Sequence, residues 1–185
     1  MEALRERIRQ GLSEKGRLLL AIDGRCGCGK SRLAACLAEE FDGNVFHVDD
    51  FYLPFGERPE DWQEIPAGNV DLARFKREVL EPLGRGEAPR YRAWDCRREC
   101  FREPEERPFR PLSIVEGSYS LHPLLREAYD LRVFVTAEPA TQRARLRARE
   151  GRRFLAFEEL WIPLEERYFR VFRVEECADL VLRTD

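Results

Sequence analysis

A three-layer α/β fold, with a parallel sheet of about five strands flanked by helices, is predicted by three observations. Short apolar runs recur at Leu18–Ile22, Val45–Val48, Leu112–Val115, Leu131–Thr136 and Ala178–Leu182. Segments with helical spacing of apolar residues lie between most of them, and strands that alternate with helices specify a parallel sheet covered on both faces. The first run leads directly into the glycine-rich stretch GRCGCGKS (24–31), which sits between a strand and a helix.

Taken in order, Leu4, Ile8 and Leu12 recur every four residues and predict a short amphipathic helix ending near Gly16. Leu18–Ile22 then reads as a buried strand. The stretch that follows carries Gly24, four residues, then Gly29-Lys30-Ser31, a complete phosphate-binding signature. In such a loop, Gly24, Arg25, Cys26, Gly27, Cys28 and Gly29 present successive backbone N–H groups to phosphate oxygens. Lys30 reaches the β/γ-phosphates, the Ser31 hydroxyl holds Mg²⁺, and Arg32 opens the next helix. That helix, to Phe41, places Leu33, Ala34, Leu37 and Phe41 on one face and stops at Asp42-Gly43.

Val45–Val48 is a short strand that delivers Asp49-Asp50-Phe51-Tyr52 at its carboxyl end, where ligands of open parallel sheets bind. Acids there are placed to meet a hydroxyl beside a γ-phosphate; read without the loop upstream, they are capping acids at a strand–loop junction. Leu53–Ala67 has three prolines and no period, and reads as a loop. Asn69-Val70-Asp71 caps a helix with apolar positions 72, 75, 79, 80 and 83, ending at Gly84. Between about 85 and 111, charged residues, four prolines and Tyr91, Trp94, Phe101 and Phe109 alternate without helical spacing. This predicts an extended, hairpin-like insertion that acts as a substrate-binding arm, with Trp94 or Tyr91 against a planar ring.

Leu112–Val115 is the third strand, and Glu116 at its end is positioned to help hold Mg²⁺. His122-Pro123 begins a short helix to about Tyr129; His122 either stabilises phosphate charge or makes a local hydrogen bond. After the fourth strand, Pro139–Arg149 is helical and rich in arginine, with Arg152 and Arg153 just beyond. Such a run is a solvated face by default; beside a phosphate loop it reads as a lid, over about 143–153, that neutralises transferred charge. Phe157, Leu160, Trp161, Leu164, Tyr168 and Phe172 form an apolar stripe expected to kink or break at Pro163.

Composition bounds the rest. The 185 residues suit a single domain, and a net charge of −3 argues against a dedicated binder of nucleic acid or of an anionic membrane. Lys15, Lys30 and Lys76 are the only lysines among 32 basic residues, and one of the three sits in the phosphate loop. No apolar run approaches a membrane span and Met1–Gln10 lacks a signal-peptide core, so a cytoplasmic protein is expected. The pairs Cys26/Cys28 and Cys96/Cys100 lack the usual two-residue spacing of a structural zinc site.

With these residues in place, the chain resembles the uridine/cytidine kinase group of phosphate-loop kinases, which also includes phosphoribulokinase and pantothenate kinase. The resemblance rests on IDGRCGCGKS (22–31), VDDFYLP (48–54), IVEGSYSLHP (114–123) and the Arg-rich segment 143–153. It implies a P-loop NTPase fold and transfer of phosphate from ATP, with Mg²⁺, to a hydroxyl of a small molecule, first of all the 5′-OH of uridine or a related nucleoside. Other acceptors left open are pantothenate, a sugar phosphate, glycerate and nicotinamide riboside. By the same resemblance Asp49 is the general base and joins Ser31 and Glu116 around the metal. Tyr52 and Trp94 contact the nucleoside, with Glu116 and His122 lining the acceptor site, and Arg145 and Arg149 meet the phosphates from the lid. The segment 91–99 departs from uridine kinases, reading YRAWDCRRE where those enzymes carry a tyrosine-to-histidine stretch. A nucleotide-dependent regulatory ATPase is the competing class; the chain has neither the Asn-Lys-x-Asp motif of GTPases nor the Leu-Ser-Gly-Gly-Gln signature of transporter ATPases. A homo-oligomer is compatible with all of this.

Overall fold

A computed structural model of the chain describes residues 1–185. Helix α1 (Glu2–Lys15) ends at Gly16 in a left-handed conformation and hands over to β1 (Leu18–Gly24). There follow α2 (Lys30–Glu40), β2 (Asn44–His47) and a helical stretch α3 over residues 72–85. The insertion carries β3 (Arg90–Tyr91), β4 (Trp94–Asp95), β5 (Cys100–Phe101) and β6 (Glu105–Glu106). The chain closes with β7 (Leu112–Glu116), β8 (Leu131–Thr136), α4 (Pro139–Glu150), a helical stretch α5 over residues 154–172, and β9 (Leu180–Arg183).

Five strands form one parallel sheet in the order β2-β7-β1-β8-β9. Because successive side chains of a strand point to opposite faces, the fully buried β1 feeds two cores. Leu18, Leu20 and Ile22 pack with Leu4 and Ile8 of α1 and Ala34 and Leu37 of α2. Leu19 and Ala21 join the opposite core, with Phe75 and Val79 of α3 and Tyr168 and Phe169 of α5. Those two cores make the three layers. The register matters for the site: Glu116 lies level with Ile22 on one side and His47 on the other, and Gly24 lies opposite Val135.

The expected hairpin-like insertion is two nested antiparallel ladders, Arg90↔Glu106 and Tyr91↔Glu105 at the base, Trp94↔Phe101 and Asp95↔Cys100 toward the tip. Three local expectations need correction. Residues 72–85 are not uniform α-helix, because Lys76–Leu80 is a π segment. Likewise α5 neither breaks nor stops at Pro163; a π segment, Phe157–Trp161, precedes it and the helix continues through Ile162–Phe172. The two cases share a cause. Each π segment contains the residue four before a proline (Glu78 before Pro82, Glu159 before Pro163), and the wider turn relieves the clash and missing donor that proline imposes. Finally, the helix expected from His122 to Tyr129 is a single 3₁₀ turn, Arg126–Ala128. This connection must cross from β7 to β8 over the intervening β1, which leaves little chain for helix.

Candidate active site

The carboxyl ends of β1, β2 and β7 open into one cavity of about 840 Å³, the crevice where open α/β sheets bind ligands. Its lining includes Cys26, Gly27, Gly29, Lys30, Ser31 and Arg32 from the glycine-rich loop, Asp49 and Tyr52 after β2, and Glu116 at the end of β7. The loop bends through glycines at positive φ. A Cβ on Gly24 (φ 134°) would lie 2.0 Å from the Val135 carbonyl oxygen, and Gly29 (φ 88°) turns the chain into α2. Lys30 is buried and donates from Nζ to the Gly24 carbonyl at 2.5 Å, bridging the two ends of the loop.

Beneath the loop, fully buried Asp23 accepts from the amides of Gly24 (2.7 Å) and Leu121 (2.8 Å) and from the Tyr168 hydroxyl (2.8 Å). Burial outweighs these bonds and pushes its carboxyl up to about 6. Asp23 therefore ties the loop to the β7–β8 connection and to α5. Arg25 adds a second tie to α5: its guanidinium bonds Glu166 at 2.6 and 3.0 Å and Thr136 at 2.9 Å. Its side chain is thereby held outside the cavity, and Cys28 is buried in the core below.

On the acidic side, Glu116 is buried and accepts from Ser31 Oγ at 3.2 Å, with His47 Nδ1 2.5 Å from its other oxygen. That contact raises the His47 pKa. Asp49 is open to the cavity but surrounded by protein; burial first, and then the Glu116 charge, push its carboxyl up to about 6, partly offset by Lys30 and the Tyr52 hydroxyl. A hydroxyl and two carboxylates that repel each other suit a divalent cation. No group of three or more acidic, His or Cys side chains could hold a metal alone.

Several expected residues lie elsewhere. Arg149 lines the cavity, with Arg153, and both pair with Glu150 at 2.7 and 3.4 Å. Arg145, one turn earlier on α4, instead bonds Thr184 near the end of the chain, at 2.9 Å to its hydroxyl. Trp94 does not line the cavity; it packs edge-on against Phe101, its ladder partner, at 5.0 Å. His122 does not line it either. It accepts from the Leu124 amide at 3.1 Å, packs against Phe172, and desolvation pushes its pKa down to about 4. These contacts are of the local hydrogen-bonding kind, away from the cavity wall.

The cavity also holds residues that the sequence did not place in the site. Glu165 of α5 is buried, accepts the Cys26 amide at 3.0 Å and receives the Ser118 hydroxyl. Phe55, Arg58, Cys96, Arg97, Phe157 and Trp161 complete the wall beyond Asp49. Glu165 and Arg58 arrive from segments with no motif.

This architecture has a solved counterpart. A protein from Bacillus stearothermophilus described as a possible uridine kinase superposes with a TM-score of 0.70, over 98% of this chain and 100% of that one, at 20% identity. The chain shares that protein's fold, a five-stranded parallel sheet flanked by helices. A shikimate kinase from Bacteroides thetaiotaomicron matches more loosely, with a TM-score of 0.46 and 12% identity over 90% of this chain and 86% of that one. An uncharacterised protein from Eubacterium ventriosum gives a TM-score of 0.48 at 15% identity, over 91% and 89%. No protein-family model and no curated protein sequence matches the chain. No helix is long and apolar enough to cross a membrane.

Proposed function

We propose that the chain is an ATP-dependent phosphotransferase that phosphorylates a hydroxyl of a small molecule. The observation that carries this reading is one cavity in which a phosphate loop with Lys30 and Ser31 faces Asp49 and Glu116. The loop amides and Lys30 would hold the triphosphate, with Arg149 and Arg153 exchanging Glu150 for phosphate oxygens. Ser31 and Glu116 would hold Mg²⁺, with Asp49 beside them; bound there, the ion would neutralise charge on the β- and γ-phosphates. Asp49, poised near 6, would take the proton of the acceptor hydroxyl as it attacks. Phosphoryl transfer depends on positioning and charge neutralisation more than on covalent chemistry, and these residues would supply both.

A nucleoside is the acceptor that the resemblance implies. Tyr52 supports it from the cavity wall, whereas Trp94 gives it no support from its place against Phe101. A coupled ADP-release screen across nucleosides, pantothenate, sugar phosphates and glycerate tests the reading. Acceptor-dependent ADP release is the expected result. Slow ATP hydrolysis unaffected by any acceptor would support the regulatory ATPase instead.

A further inference from the structure

The wall beyond Asp49 holds two cations that lack an acidic partner. Arg58 follows the proline-rich loop, and its guanidinium lies over the rings of Phe55 at 4.1 Å and Trp62 at 4.9 Å. Its Nε donates to the Leu53 carbonyl at 3.2 Å, while the two terminal nitrogens have no protein partner. Arg97, in the turn between β4 and β5, uses only its backbone N–H, toward Asp95. Every acid lining the cavity is engaged elsewhere or belongs to the proposed reaction centre: Glu150 pairs with Arg149 and Arg153, Glu165 with Ser118 and Cys26, Glu116 with Ser31 and His47, and Asp49 is the proposed base. Both arginines line the same cavity as Cys96, whose thiol feels the charges of Arg58 and Asp49.

The Phe55 and Trp62 rings support the Arg58 guanidinium and its terminal nitrogens stay unpaired, a fork of donors suited to a carboxylate or a phosphate. Desolvation lowers the Arg58 pKa, a cost that a bound anion would reverse. A neutral acceptor would leave both cations on the cavity wall without a counter-charge.

We propose that the acceptor is an anionic hydroxy compound, whose carboxylate or phosphate group is held by Arg58 and Arg97 while its hydroxyl faces Asp49. The inference rests on the phosphotransferase reading and narrows its substrate class. The two sources of the anion are separated by the probes. With the phosphate loop filled by the non-hydrolysable analogue AMPPNP and Mg²⁺, the protein is titrated calorimetrically with hydroxy acids (glycerate, pantothenate), sugar phosphates (ribose 5-phosphate, ribulose 5-phosphate) and uridine. At least one anion is expected to bind more tightly than uridine, and whether it is an acid or a phosphate identifies the group. Arg97→Gln, an exposed change outside the stacked cluster, should weaken that binding by roughly tenfold or more. Arg58→Gln should do the same and Arg58→Lys restore part of it, which a purely packing role would not do. Tighter binding of uridine than of every anion, unchanged in Arg97→Gln, would overturn the inference and leave the phosphotransferase reading intact. Binding of no anion by protein that still binds AMPPNP would also overturn it. Failure to bind AMPPNP would overturn the phosphotransferase reading, and this inference with it.

Discussion

The Glu165 carboxylate accepts the backbone N–H of Cys26 at 3.0 Å, so an acid from α5 occupies an amide of the phosphate loop. A triphosphate entering the loop meets that negative charge. Glu165→Gln should tighten ATP binding by roughly three- to tenfold, the scale of about 1 kcal/mol for a partly screened charge pair. The gain should shrink at high salt, and calorimetric titration at two ionic strengths reads both effects.

Gly24 and Val135 leave no room for a methyl group. Gly24→Ala places a Cβ 2.0 Å from a carbonyl oxygen that cannot move without opening the β1–β8 pairing. A loss of about 1–3 kcal/mol from overpacking is expected, with backbone strain at φ 134° added to it. Urea unfolding at neutral pH measures it as a lower midpoint with an unchanged slope.

Asp49 predicts a pH profile. Its acceptor-dependent kcat/KM should fall below about pH 6, roughly tenfold per unit, where an unperturbed carboxylate would hold to about 4. Stability moves the opposite way. The folded state binds the proton of Asp49 more tightly than the unfolded chain, whose carboxyl titrates near 3.8, so the Asp49 contribution is fully present below about 4 and is lost as pH rises through about 6. Asp23 adds the same sign over the same window. Thermal melts of Asp49→Asn against the parent should show a shallower decline between pH 4 and 6.

Ser31 and Glu116, 3.2 Å apart, are the groups proposed to hold the metal. Ser31→Ala and Glu116→Gln should each raise the Mg²⁺ concentration needed for half-maximal activity by roughly tenfold or more, consistent with loss of a metal-facing group. Binding of ATP without Mg²⁺ should be nearly unchanged, and a Mg²⁺ titration of ADP release against calorimetry in EDTA separates the two.

Most of the frame was legible because its signals are local. The apolar runs around Leu20, Ile114 and Val133 give the buried strands, and the glycine spacing at 24–31 gives the loop between β1 and α2. Asp49 and Glu116 were readable because strand ends in a parallel sheet converge on one crevice. What escaped depended on tertiary neighbours. Arg145 and Arg149 lie one helical turn apart and are chemically identical, yet Thr184 captures one and the cavity receives the other. Trp94 alternates outward toward Phe101, a choice that only the ladder register makes. Pro163 announced a break that a π segment absorbs. Glu165 and Arg58 reach the cavity from a helix and a loop whose patterns name no chemistry.

The central claim is that Asp49 takes a proton from a hydroxyl acceptor while Lys30 and its loop hold ATP. Asp49→Asn preserves shape and removes the base, so the direct measurement is acceptor-dependent ADP release in this variant, with ATP affinity measured alongside and Lys30→Ala as the control that loses ATP turnover. The account predicts a fall of roughly 10²- to 10⁴-fold in turnover with ATP binding nearly intact; turnover at the full rate would contradict it.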